Sequence, residues 1–193
     1  MDKFSYAIGL GIGQNLLNMG AGILVTDFAQ AVSDVLERNP TAISHQEARK
    51  IVDAYFAELE VKMNTANSEQ GKKFLEENAG KDGVKTLPSG LQYEVIAEGN
   101  GKKPKITDQV RCHYEGTLIN GTLFDSSVKR GQPAVFGVNQ VIRGWVEALQ
   151  LMAEGSKWRL YIPSELGYGA QGAGEAIPPH STLIFNIELI EVL

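Results

Sequence analysis

The sequence predicts an α+β domain, an antiparallel sheet against one short helix, preceded by an all-α region that ends in a long helix. Three observations predict it. Six of the seven prolines lie beyond residue 84, whereas Thr41 to Ala79 contains none and only one glycine, Gly71, so the residues that break helices are segregated. Apolar residues of the first part recur at three-to-four spacing, the mark of a helix with one apolar stripe. Those of the second part alternate in short runs separated by glycine, proline and asparagine, the mark of antiparallel strands. The expected division lies between a helical domain of residues 1–83 and a second domain of residues 84–193.

In chain order, the first helix is expected over Phe4 to Leu17, with Phe4, Ile8, Ile12 and Leu16 on one side. Gly9, Gly11 and Gly13 dilute it, each unfavourable by about 1 kcal/mol relative to alanine, which points to close packing of small residues between molecules. The run Gly9-Leu10-Gly11-Ile12-Gly13 resembles a nucleotide-binding loop, but no strand precedes it. Thr26 or Asp27 is expected to cap a second helix through Ala29, Val32 and Leu36 that stops before Pro40. The third begins at Ser44-His45-Gln46-Glu47, a capping box. It continues through Ala48, Ile51, Val52, Tyr55, Phe56, Leu59, Met63 and Ala66 to the glycines at 80 and 83. At about 1.5 Å per residue it extends roughly 50 Å, longer than a small domain is wide. The alternative is a small bundle with its own core. Large apolar residues are too few for that, so the expectation is a homodimer formed through residues 1–83.

In the second part, Leu91, Tyr93 and Val95 alternate, as do Val110, Cys112 and Tyr114, then Trp158, Leu160 and Ile162, then Leu183, Phe185, Ile187 and Leu189. Between Arg143 and Glu154, Trp145, Leu149 and Met152 fall instead at helical spacing, giving the single short helix of the α+β domain. Tyr168, between Gly167 and Gly169, and Ile177, before Pro178-Pro179, are large apolar residues on loops, where they often line a site.

Composition narrows the function classes. A net charge of −5 and a sequence pI near 5.3 argue against a nucleic-acid surface, which needs clustered Lys and Arg; Lys102, Lys103 and Lys105 form a solvated loop. Cys112 is the single cysteine, so no intrachain disulfide forms, and its inward alternation predicts a buried, inert thiol. His45, His113 and His180 are isolated in sequence, so neither a metal nor a cofactor is expected. Asp2, Lys3, Gln14, Asn15 and Asn18 interrupt any signal-peptide core, and the apolar run Met19–Val25 is too short to span a bilayer. The expectation is a soluble cytoplasmic protein with no membrane partner, or a periplasmic one if a leader has been trimmed from the chain.

Five blocks in order carry a family resemblance: Val110-Arg111-Cys112-His113-Tyr114-Glu115-Gly116; Gly121 with Phe124-Asp125-Ser126-Ser127; Val141-Ile142-Arg143-Gly144-Trp145; Tyr168-Gly169; and Ile177-Pro178-Pro179-His180-Ser181-Thr182-Leu183-Ile184-Phe185. They closely resemble the FKBP-type peptidyl-prolyl cis-trans isomerases. The first half resembles the dimerisation arm of the family's macrophage-infectivity-potentiator-like bacterial branch. The resemblance implies a sheet half-wrapped around the short helix, with a proline pocket between them. It also implies Trp145 as floor; Tyr114, Phe124, Phe136, Val141, Ile142 and Phe185 as walls; and Tyr168 and Ile177 from flanking loops. Asp125 is implied at the rim, orienting Tyr114, with a turn residue bonded to the Ser126 or Ser127 backbone as the alternative. Catalytic roles are implied for Asp125, Tyr168, Tyr114 and Phe136, and substrate binding for the remaining six. Proline-containing peptides and unfolded proteins are the implied partners, with macrolides such as tacrolimus and rapamycin as further ligands. Gln140, Ala173 and Ala176 depart from the family pattern and make the flanking loop smaller. A binding module that holds client chains without turnover would use the same pocket, and an isomerisation assay separates the two.

Overall fold

The computed structural model describes residues 1–20 and 22–193, which divide into two compact units, Met1–Phe56 and Ala57–Leu193. The first holds α1 (Lys3–Asn18), α2 (Val25–Glu37) and the start of α3 (His45–Ala79). Asp2 caps α1 by accepting the Ser5 N–H at 2.7 Å. The residue preceding α2 is Leu24, without a side-chain cap. Thr26 and Asp27 therefore lie inside the first turn rather than at the cap, where the Asp27 carboxylate faces the positive end of the helix dipole. The helix closes at Arg38 in the left-handed region, φ 60°, with Asn39 N–H donating to Asp34 O at 2.8 Å before Pro40. At α3, the Glu47 N–H donates to Ser44 Oγ at 3.2 Å, one arm of the expected capping box.

Neither α1 nor α2 buries a residue, and Phe4 and Leu36 are 75% and 77% exposed. A bundle with its own core is thereby excluded within the single chain. The apolar stripe of α3 is likewise open, with Ile51, Val52 and Met63 all exposed. What α3 buries is Gly71 and Asn78. With half-buried Asn67 and Phe74 these recur at intervals of four, three and four, one helical face. Because three of those four residues are small or polar, apolar periodicity does not reveal it.

The second unit contains β1 (Val84–Thr86), β2 (Gln92–Ala97), β3 (Gln109–Leu118), β4 (Leu123–Ser126), β5 (Ala134–Gly137), α4 (Arg143–Leu149), β6 (Lys157–Ile162) and β7 (Leu183–Val192). The strands form one antiparallel sheet of order β1-β2-β6-β7-β3-β4, with β5 added to β3. β3 and β7 pair from Val110↔Val192 to Leu118↔Leu183. Every alternating residue expected inward on β3, β6 and β7 is buried. The helix α4 stops at Leu149, short of the Glu154 expected. Met152, fully buried, is reached by a further turn in which its N–H donates to Ala148 O at 3.1 Å. Trp145, Ala148, Leu149 and Met152 share one core with the sheet.

The end of α3 belongs to this unit. Asn78 donates to Gln92 Oε1 at 2.9 Å, Gln92 donates to Leu75 O at 2.8 Å, and the Phe74 and Tyr161 rings lie 6.0 Å apart. The end of α3 therefore packs with the sheet, and 83/84 marks the change from helix to strand. Among the described residues, no helix is long and apolar enough to cross a membrane.

Candidate active site

A cleft of about 670 Å³ opens between the sheet and α4, closed on one side by the 163–182 segment. Trp145, in the first turn of α4 and only 4% exposed, forms its floor. Three rings stand edge-on to the indole: Tyr114 of β3 at 5.3 Å, Phe136 of β5 at 5.7 Å and Phe185 of β7 at 5.2 Å, with interplanar angles of 84°, 83° and 85°. Phe124 of β4 stands edge-on to Phe185 at 5.5 Å. Edge-to-face pairs contribute roughly 0.5–1.5 kcal/mol each beyond their buried area, so the walls hold one another in place. Gly116 makes room for two of them. It pairs with Phe185 on one side and Asp125 on the other, and a Cβ there would lie 2.6 Å from Phe124 and 2.7 Å from Phe185.

A cluster of three polar side chains sits at the rim of this apolar basin. The Tyr114 hydroxyl donates to Asp125 Oδ2 at 2.6 Å. Arg130 donates to the Tyr114 hydroxyl at 2.7 Å, ion-pairs with Asp125, and places its guanidinium 5.6 Å from the Tyr114 ring centre. Burial opposes ionisation of Asp125, but the hydrogen bonds from Tyr114 and Arg130 outweigh it and hold the carboxyl below its ordinary value. Burial first, then the bond to Asp125, raises the Tyr114 phenol. The result is a fixed carboxylate and a neutral phenol. Asp125 thus serves Tyr114 and Arg130, beyond a local turn role.

The loops complete the cleft. Val141 and Ile142 lead into α4, where Ile142 O accepts from Trp145 N–H and Val146 N–H. The Ile142 N–H itself has no acceptor among the described residues. Tyr168 is 40% exposed at the mouth, whereas Ile177 is 5% exposed and is held by paired backbone bonds to Ala173 at 2.8 and 3.1 Å. Gln140, Ala173 and Ala176 line the same space. All ten residues singled out in the sequence meet at this cleft. Arg130 does not stand out in the sequence; it follows Lys129 in an exposed turn, and only the proximity of an ionised Asp125 distinguishes it. Cys112 is elsewhere in the core, its thiol pushed up to about 12 by burial, so it is no nucleophile at neutral pH.

A family model described as FKBP-type peptidyl-prolyl cis-trans isomerase matches residues 100–190. A second, described as the domain amino terminal to FKBP-type peptidyl-prolyl isomerase, matches residues 1–95. The FKBP-type 22 kDa peptidyl-prolyl cis-trans isomerase of Escherichia coli K12 is 50% identical over 194 residues, spanning 98% of this chain and 94% of that protein. The chain belongs to the FKBP-type peptidyl-prolyl cis-trans isomerases. Like its relatives, this FKBP is an enzyme that accelerates rotation about X–Pro bonds. The outer membrane protein MIP of Legionella longbeachae is 41% identical over 198 residues, 99% of this chain and 85% of that one. The crystal structure of FkpA from Escherichia coli superposes with a TM-score of 0.81 at 35% identity, covering 98% of this FKBP and 95% of FkpA. The cytoplasmic location expected from the first residues gains no support from these names, one of which refers to the outer membrane.

Proposed function

We propose that this FKBP lowers the isomerisation barrier without a covalent step, by desolvating the peptide carbonyl over Trp145. Rotation about an X–Pro bond meets roughly 18–20 kcal/mol because amide resonance is interrupted, and no bond breaks. The planar amide is more polar than the twisted one. An apolar enclosure therefore favours the twisted state relative to water. In this reading Tyr114, Phe124, Phe136 and Phe185 exclude water; the Ile142 N–H and the Tyr168 hydroxyl fix substrate carbonyls; and Asp125 locks Tyr114 while presenting negative charge at the rim. The observation that carries the reading is the set of rings standing edge-on to Trp145 beneath a single ionised carboxylate. Each tenfold of rate takes about 1.4 kcal/mol of differential stabilisation. The test is an isomerisation assay on an X–Pro peptide. Trp145→Ala weakens substrate binding and Tyr168→Phe lowers turnover more than stability; wild-type kinetics in both variants would overturn the assignment.

For residues 1–83 we propose a dimerisation role. The support is that α1 and α2 bury nothing within the chain and that added Cβ atoms on Gly9 and Gly13, four residues apart on one face of α1, would meet nothing within 4 Å, leaving a small-residue strip open to a second copy. Light scattering at micromolar concentration gives a dimer, and a monomer refutes it. Two clefts on one dimer raise the effective concentration of the second site for a long unfolded client. Macrolide binding to the same cleft is read by calorimetric titration with tacrolimus or rapamycin. Cell fractionation distinguishes a cytoplasmic from a periplasmic location.

A further inference from the structure

The polar face near the end of α3 does more than fasten the helix to the sheet. Asn78 and Phe74 meet β2 and β6, but Asn67 and Gly71 meet the segment that closes the cleft. Asn67 Nδ2 donates to Pro179 O at 3.1 Å. One turn on, a Cβ on Gly71 would lie 2.4 Å from Thr182 Oγ1, so only glycine lets the helix approach this closely.

The segment needs such an external tie. Pro178 and Pro179 carry no N–H, so neither can anchor the chain as a backbone donor. The Pro178 carbonyl accepts from Ser181 Oγ at 2.7 Å, and the Pro179 carbonyl accepts from α3. Ile177, just upstream, lines the cleft. Just downstream, the His180 N–H donates to Gly169 O at 2.8 Å, next to Tyr168, with His180 held at φ 58°. Pro179 therefore lies between the anchors of both loop-borne residues of the cleft.

We propose that Asn67 is a positioning residue of the isomerase, setting substrate affinity from α3 by holding the Pro179 carbonyl and, through it, the Ile177 wall and the Tyr168 mouth. The proposal rests on the pocket reading above, in which Ile177 and Tyr168 touch the substrate.

The test is steady-state isomerisation of an X–Pro peptide by the full chain, with thermal unfolding in parallel. Asn67→Asp keeps the shape but turns an acceptor toward the Pro179 carbonyl. Asn67→Gln retains the amide donor, Gly71→Ala forces Thr182 aside, and Ile177→Ala reports loss of the wall itself. Loss of one part-buried hydrogen bond predicts a KM raised about three- to tenfold in Asn67→Asp, with kcat within about twofold of wild type. Asn67→Gln recovers at least half of that loss, and Gly71→Ala raises KM in the same direction. A wild-type KM in Asn67→Asp, beside a raised one in Ile177→Ala, overturns the positioning role and leaves the pocket reading standing. Wild-type KM in Ile177→Ala overturns both. A lowered Tm with no KM-against-kcat split makes Asn67 merely structural and also overturns the proposal.

Discussion

Gly116→Ala tests whether the aromatic walls are fixed parts of the cleft. The added methyl carbon would lie 2.6 Å from Cε2 and Cζ of Phe124 and 2.7 Å from Cε1 of Phe185, against an ordinary contact of 3.4 Å or more. Both rings must move by most of an ångström. Neither has an easy path, because Phe185 is packed edge-on against Trp145 and Phe124 against Phe185. Overpacking of this kind costs about 1–3 kcal/mol, and for a chain of this size each kcal/mol lowers Tm by about 2–4 °C. A fall of roughly 2–12 °C is expected. Since misplacement of about 1 Å in a positioned site costs up to a hundredfold, kcat/KM should fall by about ten- to a hundredfold. Thermal unfolding followed by circular dichroism and a proline-isomerisation assay measure the two. A Tm within about 1 °C and a kcat/KM within about twofold of wild type would show the rings free to swing aside, and the account of rigid, mutually supporting walls would be refuted.

Other expectations concern the rim and the loop. Asp125 is depressed in the folded state, so its stabilising contribution is present above its ordinary value of 3.8 and is lost as pH falls through the lower folded value. Arg130→Met removes one of the depressing partners, which also include Tyr114 and the Ser126 backbone N–H, so carbon-detected NMR titration should find the Asp125 carboxyl higher than in wild type; an unchanged titration contradicts the role given to Arg130. Gly172→Ala places a Cβ 2.2 Å from Ile177 O at a φ of +62°. It should reduce kcat/KM about tenfold or more while the sheet still folds, and wild-type kinetics would show the loop to be pliant. Residues 57–193, the second compact unit, should match the full chain on small peptides but act more slowly on an unfolded protein. Equal rates on both would remove the helices from substrate capture.

The longer strands and α4 were legible because they obey simple periodicities. Val110, Cys112 and Tyr114 alternate inward as expected, and Trp145 with Leu149 marks α4 by helical spacing. The identity of the pocket needed more than periodicity. Buried aromatics are ordinary, and the five ordered blocks distinguish this set from any other core. What escaped notice has a common cause. Asn67, Gly71 and Asn78, with Phe74 among them, form the face of α3 that packs on the sheet unit, and all but Phe74 are polar or small, whereas the conspicuous Ile51, Val52 and Met63 stripe faces solvent in the single chain. Hydrophobic patterning detects apolar burial; it is blind to a helix held by side-chain amides and a close glycine contact. Arg130 escaped for the same reason: its importance lies in a partner five residues away that only folding brings to it. β1, β4 and β5, with three or four residues each, are too short for alternation to register.

The most direct test of the non-covalent cleft is the rate of X–Pro isomerisation by the full chain carrying Asp125→Ala and Tyr168→Phe together, measured beside wild type with Tm as a control for folding. Loss of the rim charge and a substrate hydrogen bond predicts a kcat/KM lower by about tenfold or more in a protein that still unfolds cooperatively. A double variant that isomerises the peptide as fast as wild type would contradict the roles given to both residues.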